Sequence, residues 1–310
     1  MNALRSDRER YLRLRRAMGF QLNDVSRQLH KFVSYLDEQG LSHVSTAVAV
    51  SWISQLHVSA ATKASRFGMV RHFAQYLRAA DSRHEVPPAG LFRGRSRRQR
   101  PYIYCDDEIT RLLQAAQQIP SAGGFRAQTF TTLLGLLVVT GMRLGECLAL
   151  TDRDVDLEEG MLSIVGTKFR KSRLVPLHPS TRQPLRQYAD WRDRLFPAPR
   201  CPNFLVSNLG TRLWKGNVRI TFHDLSCKAG LRRAGDRHGP RLHALRHTFA
   251  VKTLRDWYGA GIDVEQHLPE LATYLGHTHV SDTYWYLTGT PELLQLVAAR
   301  MDRLDEEAPA

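Results

Sequence analysis

Residues 162–177 read LSIVGTKFRKSRLVPL. Two short β-type runs, residues 162–165 and 173–177, flank the polar turn GTKFRKS, a pattern that predicts a hairpin carrying two lysines at its tip. Around it the periodicity is helical. Upstream, DEITRLLQAAQQ and the apolar TFTTLLGLLVVT read as two helices, the first capped and charged by Asp106 and Asp107, the second ending at Gly141. Downstream, helices are predicted at about 180–194, 215–229, 243–257, 267–275, 279–286 and 291–304. An isolated hairpin in a helical chain predicts a mostly helical domain with a small antiparallel sheet.

The front of the chain is helical throughout. From Asp7 to Ala80, apolar residues recur at helical spacing, as in LNDVSRQLHKFVSYL and ATKASRFGMVRHFAQYL, with turns at residues 38–40 and 57–59. Four helices and no strands are expected there. The pattern then dissolves into DSRHEVPPAGLFRGRSRRQRP, whose prolines and arginines Arg93, Arg95, Arg97, Arg98 and Arg100 mark a linker. The expected layout is a helical domain at 1–84, a basic linker at 85–104 and a mixed α/β, mostly helical domain at 105–310.

The chain has 310 residues, 43% hydrophobic and 24% charged, which fits two globular domains and excludes collagen, disorder and a mini-protein. Its 44 basic against 30 acidic side chains leave a net charge of +14. Residues 1–100 hold 18 of the basic and 7 of the acidic ones, so affinity for a polyanion is concentrated at the front. The polar start and the shortness of the longest apolar run argue against a signal peptide and a membrane span, and predict a soluble cytoplasmic protein. Cys105, Cys147, Cys201 and Cys227 form no CxxC pair and read as reduced thiols.

Four segments gather His, Arg, Lys and Tyr: TGMRLGE (140–146), GTKFRKSRLVPL (166–177), HALRH (243–247) and LGHTHVSDTYWY (275–286). No carboxylate pair accompanies them, whereas Mg²⁺-dependent nucleases and polymerases need clustered Asp and Glu. A cationic set with a phenol suits metal-free phosphoryl transfer. Guanidinium forks match the equatorial oxygens of a phosphodiester under in-line attack, which singles out Arg143 and Arg246. A hairpin-tip lysine can protonate the leaving oxygen, and His243 or His277 can hold or move the proton on the nucleophile side. Tyrosine supplies the attacking oxygen. At a pKa of about 10, only about 0.1% of a free tyrosine is phenolate at pH 7, so the surroundings must stabilise the anion or a base must take its proton.

In order and spacing these four segments resemble the signature boxes of the tyrosine recombinases, the phage-integrase family. The likeness covers residues 105–304, and the basic helical front resembles the family's core-binding domain more loosely. It implies that Arg143 and Arg246 are the catalytic arginines, Glu146 their acidic support, Lys168 the hairpin lysine, His243 and His277 the catalytic histidines, and Tyr286 the nucleophile. Tyr284 is the alternative nucleophile and Lys171 the alternative lysine. His247 reads as a packing or supporting residue, and Trp285 as core. Leu287-Thr288 departs from the Thr-His often found after the nucleophile.

The resemblance further implies a site-specific recombinase or integrase working through a 3′-phosphotyrosyl intermediate with no cofactor, ATP or metal. Its partners would be double-stranded DNA, four protomers on two sites, and possibly sister recombinases, with localisation to the cytoplasmic nucleoid. The helical pattern begins almost at Met1, so no separate arm-binding domain is expected. Integration or transposition of a mobile element is the expected role. The rivals are relaxation of the type IB topoisomerase kind and a catalytically silent architectural protein. A terminal helix bearing Leu293, Leu296, Val297 and Met301 would dock on a neighbouring protomer or on its own domain.

Overall fold

The computed structural model describes residues 3–94, 101–166, 172–198, 200–233, 235–236 and 239–287. The hairpin tip with Lys168 and Lys171, the linker residues Arg95, Arg97, Arg98 and Arg100, and the expected helix at 291–304 lie outside the described residues. The chain divides into two compact units, residues 1–99 and 100–310.

The first unit is built from α1 (Ala3–Ala17), α2 (Asn23–Glu38), α3 (Thr46–Ser54) and α4 (Ala60–Arg78). On α2, Leu29, Phe32, Val33 and Leu36 fall at helical spacing on one face and are fully buried, as a stripe of period 3.6 requires. They meet Leu4 and Leu12 of α1, Trp52 and Ile53 of α3, and Phe67, Phe73 and Leu77 of α4 in one core. Ser45 and Ser59 cap α3 and α4 by accepting the amides of Val48 and Thr62, each at 3.3 Å.

This unit reaches further than residue 84. Pro87 is buried, its carbonyl accepts from Arg71 Nε at 3.0 Å, and Phe92 packs on Phe67 at 5.0 Å between ring centroids. The prolines and arginines of residues 85–104 predict a linker throughout. A proline ring is apolar, however, and its carbonyl satisfies a neighbour.

The second unit begins with α5 (Asp106–Gln117). Its N-cap is Cys105 rather than the acidic pair: Asp106 is the first helical residue, and Glu108 reaches back to accept the Cys105 amide at 3.0 Å. The acidic first turn complements the helix dipole. Next, α6 (Phe125–Thr140) is apolar on nearly all sides and buries Phe130, Leu133, Leu134, Leu136 and Leu137. Each such side chain contributes about 1.5–3 kcal/mol by leaving water. The short α7 (Leu144–Cys147) follows.

The sheet has three antiparallel strands in sequence order, β1 (Val155–Asp156), β2 (Met161–Ile164) and β3 (Arg173–Pro176). Leu162 pairs with Val175 and Ile164 with Arg173. Buried Leu162, Ile164 and Val175 show which face is inward, and strand alternation puts Arg173 on that same face. Helices α8 (Pro179–Leu195), α9 (Lys215–Lys228), α10 (Leu242–Gly259), α11 (Val264–Leu275) and α12 (Ser281–Leu287) complete the unit. A main core joins α5, α6, α8, α9 and the sheet, while the later part of α10 packs with α11 and α12 in a second cluster.

Candidate active site

The site is assembled where two chain turns meet a short helix. The first is the end of α6, where Gly141 adopts the left-handed region at φ 58° and its amide bonds back to Leu137 O at 3.1 Å. A Cβ there would lie 2.5 Å from the Phe249 ring, so glycine is required on two counts. The chain then enters α7 with Arg143 as its N-cap residue. Glu146 accepts from the Arg143 amide at 3.0 Å and from its guanidinium at 2.7 Å. Arg173 approaches the same carboxylate from β3, with Nη2 at 2.7 Å. Burial opposes ionisation of Glu146, but hydrogen bonds from Arg173 and then from Arg143 outweigh it and hold its pKa down at about 2. Glu146 is therefore an anion throughout the neutral range.

The second turn is the end of α11. Gly276 is left-handed at φ 69°, with its own amide on Thr273 O and that of His277 on Ala272 O, both at 2.9 Å. Three successive carbonyls here each receive an arginine. Tyr274 O accepts Arg173 Nε at 2.7 Å, Leu275 O accepts Arg246 Nη2 at 2.6 Å, and Gly276 O accepts Arg143 Nη2 at 2.9 Å. Carbonyls at a helix C-terminus are orphan acceptors at the negative end of the dipole, so guanidiniums suit them. Arg246 also donates to Gly141 O at 2.9 Å, which ties the two turns together. It is only 2% exposed, and burial, reinforced by Arg143, draws its pKa down to about 10. Arg246 still carries its charge at pH 7.

The third element is α12, whose Thr283 and Tyr286 lie three apart and face inward. Tyr286 is 2% exposed and Tyr284 is 46% exposed. Burial raises the Tyr286 pKa, although Arg246 and Arg143 pull against it. His247, one turn along α10 from His243, brings Nδ1 to 3.1 Å from the Tyr286 hydroxyl. His277 bonds Thr283 Oγ1 through Nδ1 at 2.7 Å, and its ring lies nearly parallel to that of Tyr286, at 19°. Desolvation first, and then the neighbouring cations, lower the pKa of His243 and bring His247 and His277 down to about 4. At neutral pH the site thus holds fixed cations, neutral imidazoles and a neutral phenol.

The sequence profile of the phage integrase family matches residues 105–292, the segment that builds this site. A protein of Sinorhizobium fredii named as an integrase/recombinase is 44% identical, over 99% of each chain. The chain belongs to the phage integrase family. As a member it is a DNA strand-exchange enzyme of the tyrosine recombinase type. The tyrosine recombinase XerC of Escherichia coli O157:H7 is 28% identical, over 92% of each chain. Two solved structures share the fold. The Tn1549 transposon integrase in complex with transposon right end DNA gives a TM-score of 0.67 at 16% identity, covering 96% of this chain and 99% of that one. The XerH recombinase bound to its difH substrate gives 0.63 at 20% identity, covering 91% and 80%.

In this integrase-family chain, Arg143, Glu146, His243, Arg246, His277 and Tyr286 are brought into one neighbourhood. Lys168 lies outside the described residues, and Arg93 is exposed on the first unit. Beside Arg143 and His243 opens a cleft of about 640 Å³, lined also by Lys215, Arg219, Arg232 and Arg241. That much positive charge around one opening suits a polyanion. Arg173 was missed by motif reading, yet a signal for it existed. In RLVPL it shares the inward alternation of Val175 and Leu177, and an arginine on a buried strand face needs an anion. His247, expected as a packing or supporting residue, sits at the phenol, a position that only the α12 register reveals. Among the described residues, no helix is long and apolar enough to cross a membrane.

Proposed function

We propose that this chain is a site-specific recombinase that cuts and rejoins DNA through a 3′-phosphotyrosyl intermediate on Tyr286, with neither metal nor ATP, and that it serves the integration or transposition of a mobile element. The observation that carries the reading is the contrast between the two tyrosines. The Tyr286 hydroxyl is enclosed by the basic set, and Tyr284 is turned outward. Arg143 spends two donors on Glu146 and Gly276 O, and Arg246 two on backbone carbonyls and another on Tyr286; a guanidinium has five, so both retain donors for the non-bridging oxygens. Removing one such preorganised donor costs about 10² to 10³ in rate.

In the proposed step the phenol oxygen attacks phosphorus in line, its proton passes to a neighbouring imidazole, and the P–O5′ bond breaks. Lys168 gives a proton to the departing 5′-oxygen, while His243 and His277 flank the transferring group. Bond energy is kept in the tyrosyl ester, so a 5′-hydroxyl can reverse the reaction on another strand. DNA as partner and assembly of several protomers are supported by fold neighbours solved on DNA, one of them a tetramer on a Holliday junction. The mobile-element role is supported by the integrase/recombinase names of the Sinorhizobium fredii relatives and by the fold shared with a transposon integrase. The basic linker, Arg93 to Arg100, supplies phosphate contacts.

The test is a nicked duplex whose cleavage releases a short fragment and traps the covalent complex. Wild type and Tyr284→Phe are expected to form a protease-sensitive adduct, and Tyr286→Phe none. An adduct that persists in Tyr286→Phe and vanishes in Tyr284→Phe overturns the assignment.

A further inference from the structure

Burial holds Tyr286 as a neutral phenol, so its attack on phosphorus requires somewhere for the proton to go. The site holds three imidazoles, two of them in ring contact with Tyr286. His277 has its Nδ1 committed to Thr283 and offers Tyr286 mainly a stacked face. His243 sits edge-on to the His247 ring at 4.7 Å between centroids, whereas His247 itself lies 5.5 Å from the Tyr286 ring. Among the described residues, the imidazole nitrogen within hydrogen-bond distance of the phenol is His247 Nδ1, at 3.1 Å. We propose that His247 is a catalytic residue: its Nδ1 takes the proton of Tyr286 as the phenol oxygen bonds to phosphorus, and returns it when the strand is resealed.

The inference rests on the reading of Tyr286 as nucleophile. The balance is complete. The Oη–H bond breaks toward Nδ1, the Oη–P bond forms, the P–O5′ bond breaks, and the 5′-oxygen leaves as a hydroxyl with a proton from the lysine side. In the reverse direction the imidazolium protonates the phenolate as it departs, which microscopic reversibility demands.

The surroundings suit the role. His243 and Arg246 on α10, His277 beyond α11, and Arg143 place positive or potentially positive groups around His247, with Asp282 of α12 the acidic counterweight acting on His277 and Tyr286. As its Nε2–H tautomer, the neutral imidazole keeps an in-plane lone pair on Nδ1 for the phenol proton. When a phosphodiester enters between the two arginines, its negative charge offsets their field and raises the basicity of His247 as the proton arrives. Trp285 packs T-shaped on the ring, 5.4 Å between centroids, and fixes its plane.

The probe is a library of randomised nicked duplexes, from which wild-type protein selects the substrate used for every variant. His247→Ala should slow single-turnover adduct formation at pH 7 by about 10² to 10⁴ with DNA affinity unchanged. Its rate should climb about tenfold per pH unit as free phenolate takes over, whereas the wild-type profile levels off. His247→Asn, which keeps an acceptor near Nδ1 without basicity, should remain slow, and added imidazole should speed His247→Ala.

A 5′-bridging sulfur leaving group, which needs no proton, should leave His247→Ala as slow as before. Three results would overturn the proposal: a wild-type rate in His247→Ala, full activity in His247→Asn, or rescue by the sulfur substrate. No adduct with wild type sinks the Tyr286 reading and this inference together, whereas normal wild-type adducts with undiminished variants sink this inference alone.

Discussion

Glu146 holds two guanidiniums with one carboxylate, and the cost of losing it falls on both. Its side chain is largely buried, and removal of one partner from a buried ion pair typically costs about 3–5 kcal/mol. Glu146→Ala is expected to lose stability in that range by urea unfolding and to lose strand cleavage with it. Acid should do the same by degrees. The carboxyl has a folded-state pKa of about 2 against 4.5 unfolded, so its contribution is complete above about 4.5 and disappears as pH falls toward 2. His247 and His277, at about 4 when folded against 6.5 unfolded, bind protons preferentially in the unfolded chain. Stability should therefore begin to fall below about pH 6.5, earlier than the carboxylate alone would dictate. Tracking unfolding free energy from pH 7 to 3 in wild type and in a His247→Asn, His277→Asn double variant checks this, since the double variant should keep its plateau to lower pH.

The two glycine turns separate stability from geometry. A left-handed backbone costs about 1–2 kcal/mol for a residue with a Cβ. At Gly141 that Cβ would also strike the Phe249 ring, which is itself stacked on Tyr274 at 14° and has little room to yield. At Gly276 it would lie 2.7 Å from the Arg173 guanidinium, which can shift only by loosening its hold on Glu146 and Tyr274 O. Gly141→Ala should consequently be the more destabilised by urea titration. Gly276→Ala should lose proportionately more cleavage per unit of stability, measured as adduct formation on nicked DNA.

Both turns were readable beforehand as helix ends, because glycine after an apolar helix is a strong local signal. So were the long helices and the β2–β3 hairpin, whose periodicity is local. What escaped the sequence depends on distant partners. The two-residue β1 carries too little pattern to register. Cys105 caps α5 only because Glu108 folds back onto its amide. The convergence of Arg143, Arg173 and Arg246 on three consecutive carbonyls belongs to no one segment.

At the scale of the whole chain, charge is the governing quantity. The excess of basic side chains is concentrated in the first 100 residues, with five arginines between positions 93 and 100, while the basic cleft beside Arg143 belongs to the second unit. Two separate sources of phosphate affinity follow from this, and they should respond differently to substitution. Each phosphate neutralised on duplex DNA contributes about 0.9 to the slope of log K against log salt. If all five linker arginines make such contacts, replacing Arg93, Arg95, Arg97, Arg98 and Arg100 by glutamine should lower that slope by about 4 to 5. The loss should be alike across DNA sequences, because phosphates carry no base identity. Cleavage of DNA already bound should proceed at the wild-type rate, since none of the five falls in the four segments that carry the site residues. Titration of fluorescent duplex from low to moderate salt, paired with single-turnover cleavage at saturating protein, measures both. A slope unchanged by the five substitutions would mean that the linker charge faces solvent, and would assign the affinity to the cleft and the helical unit.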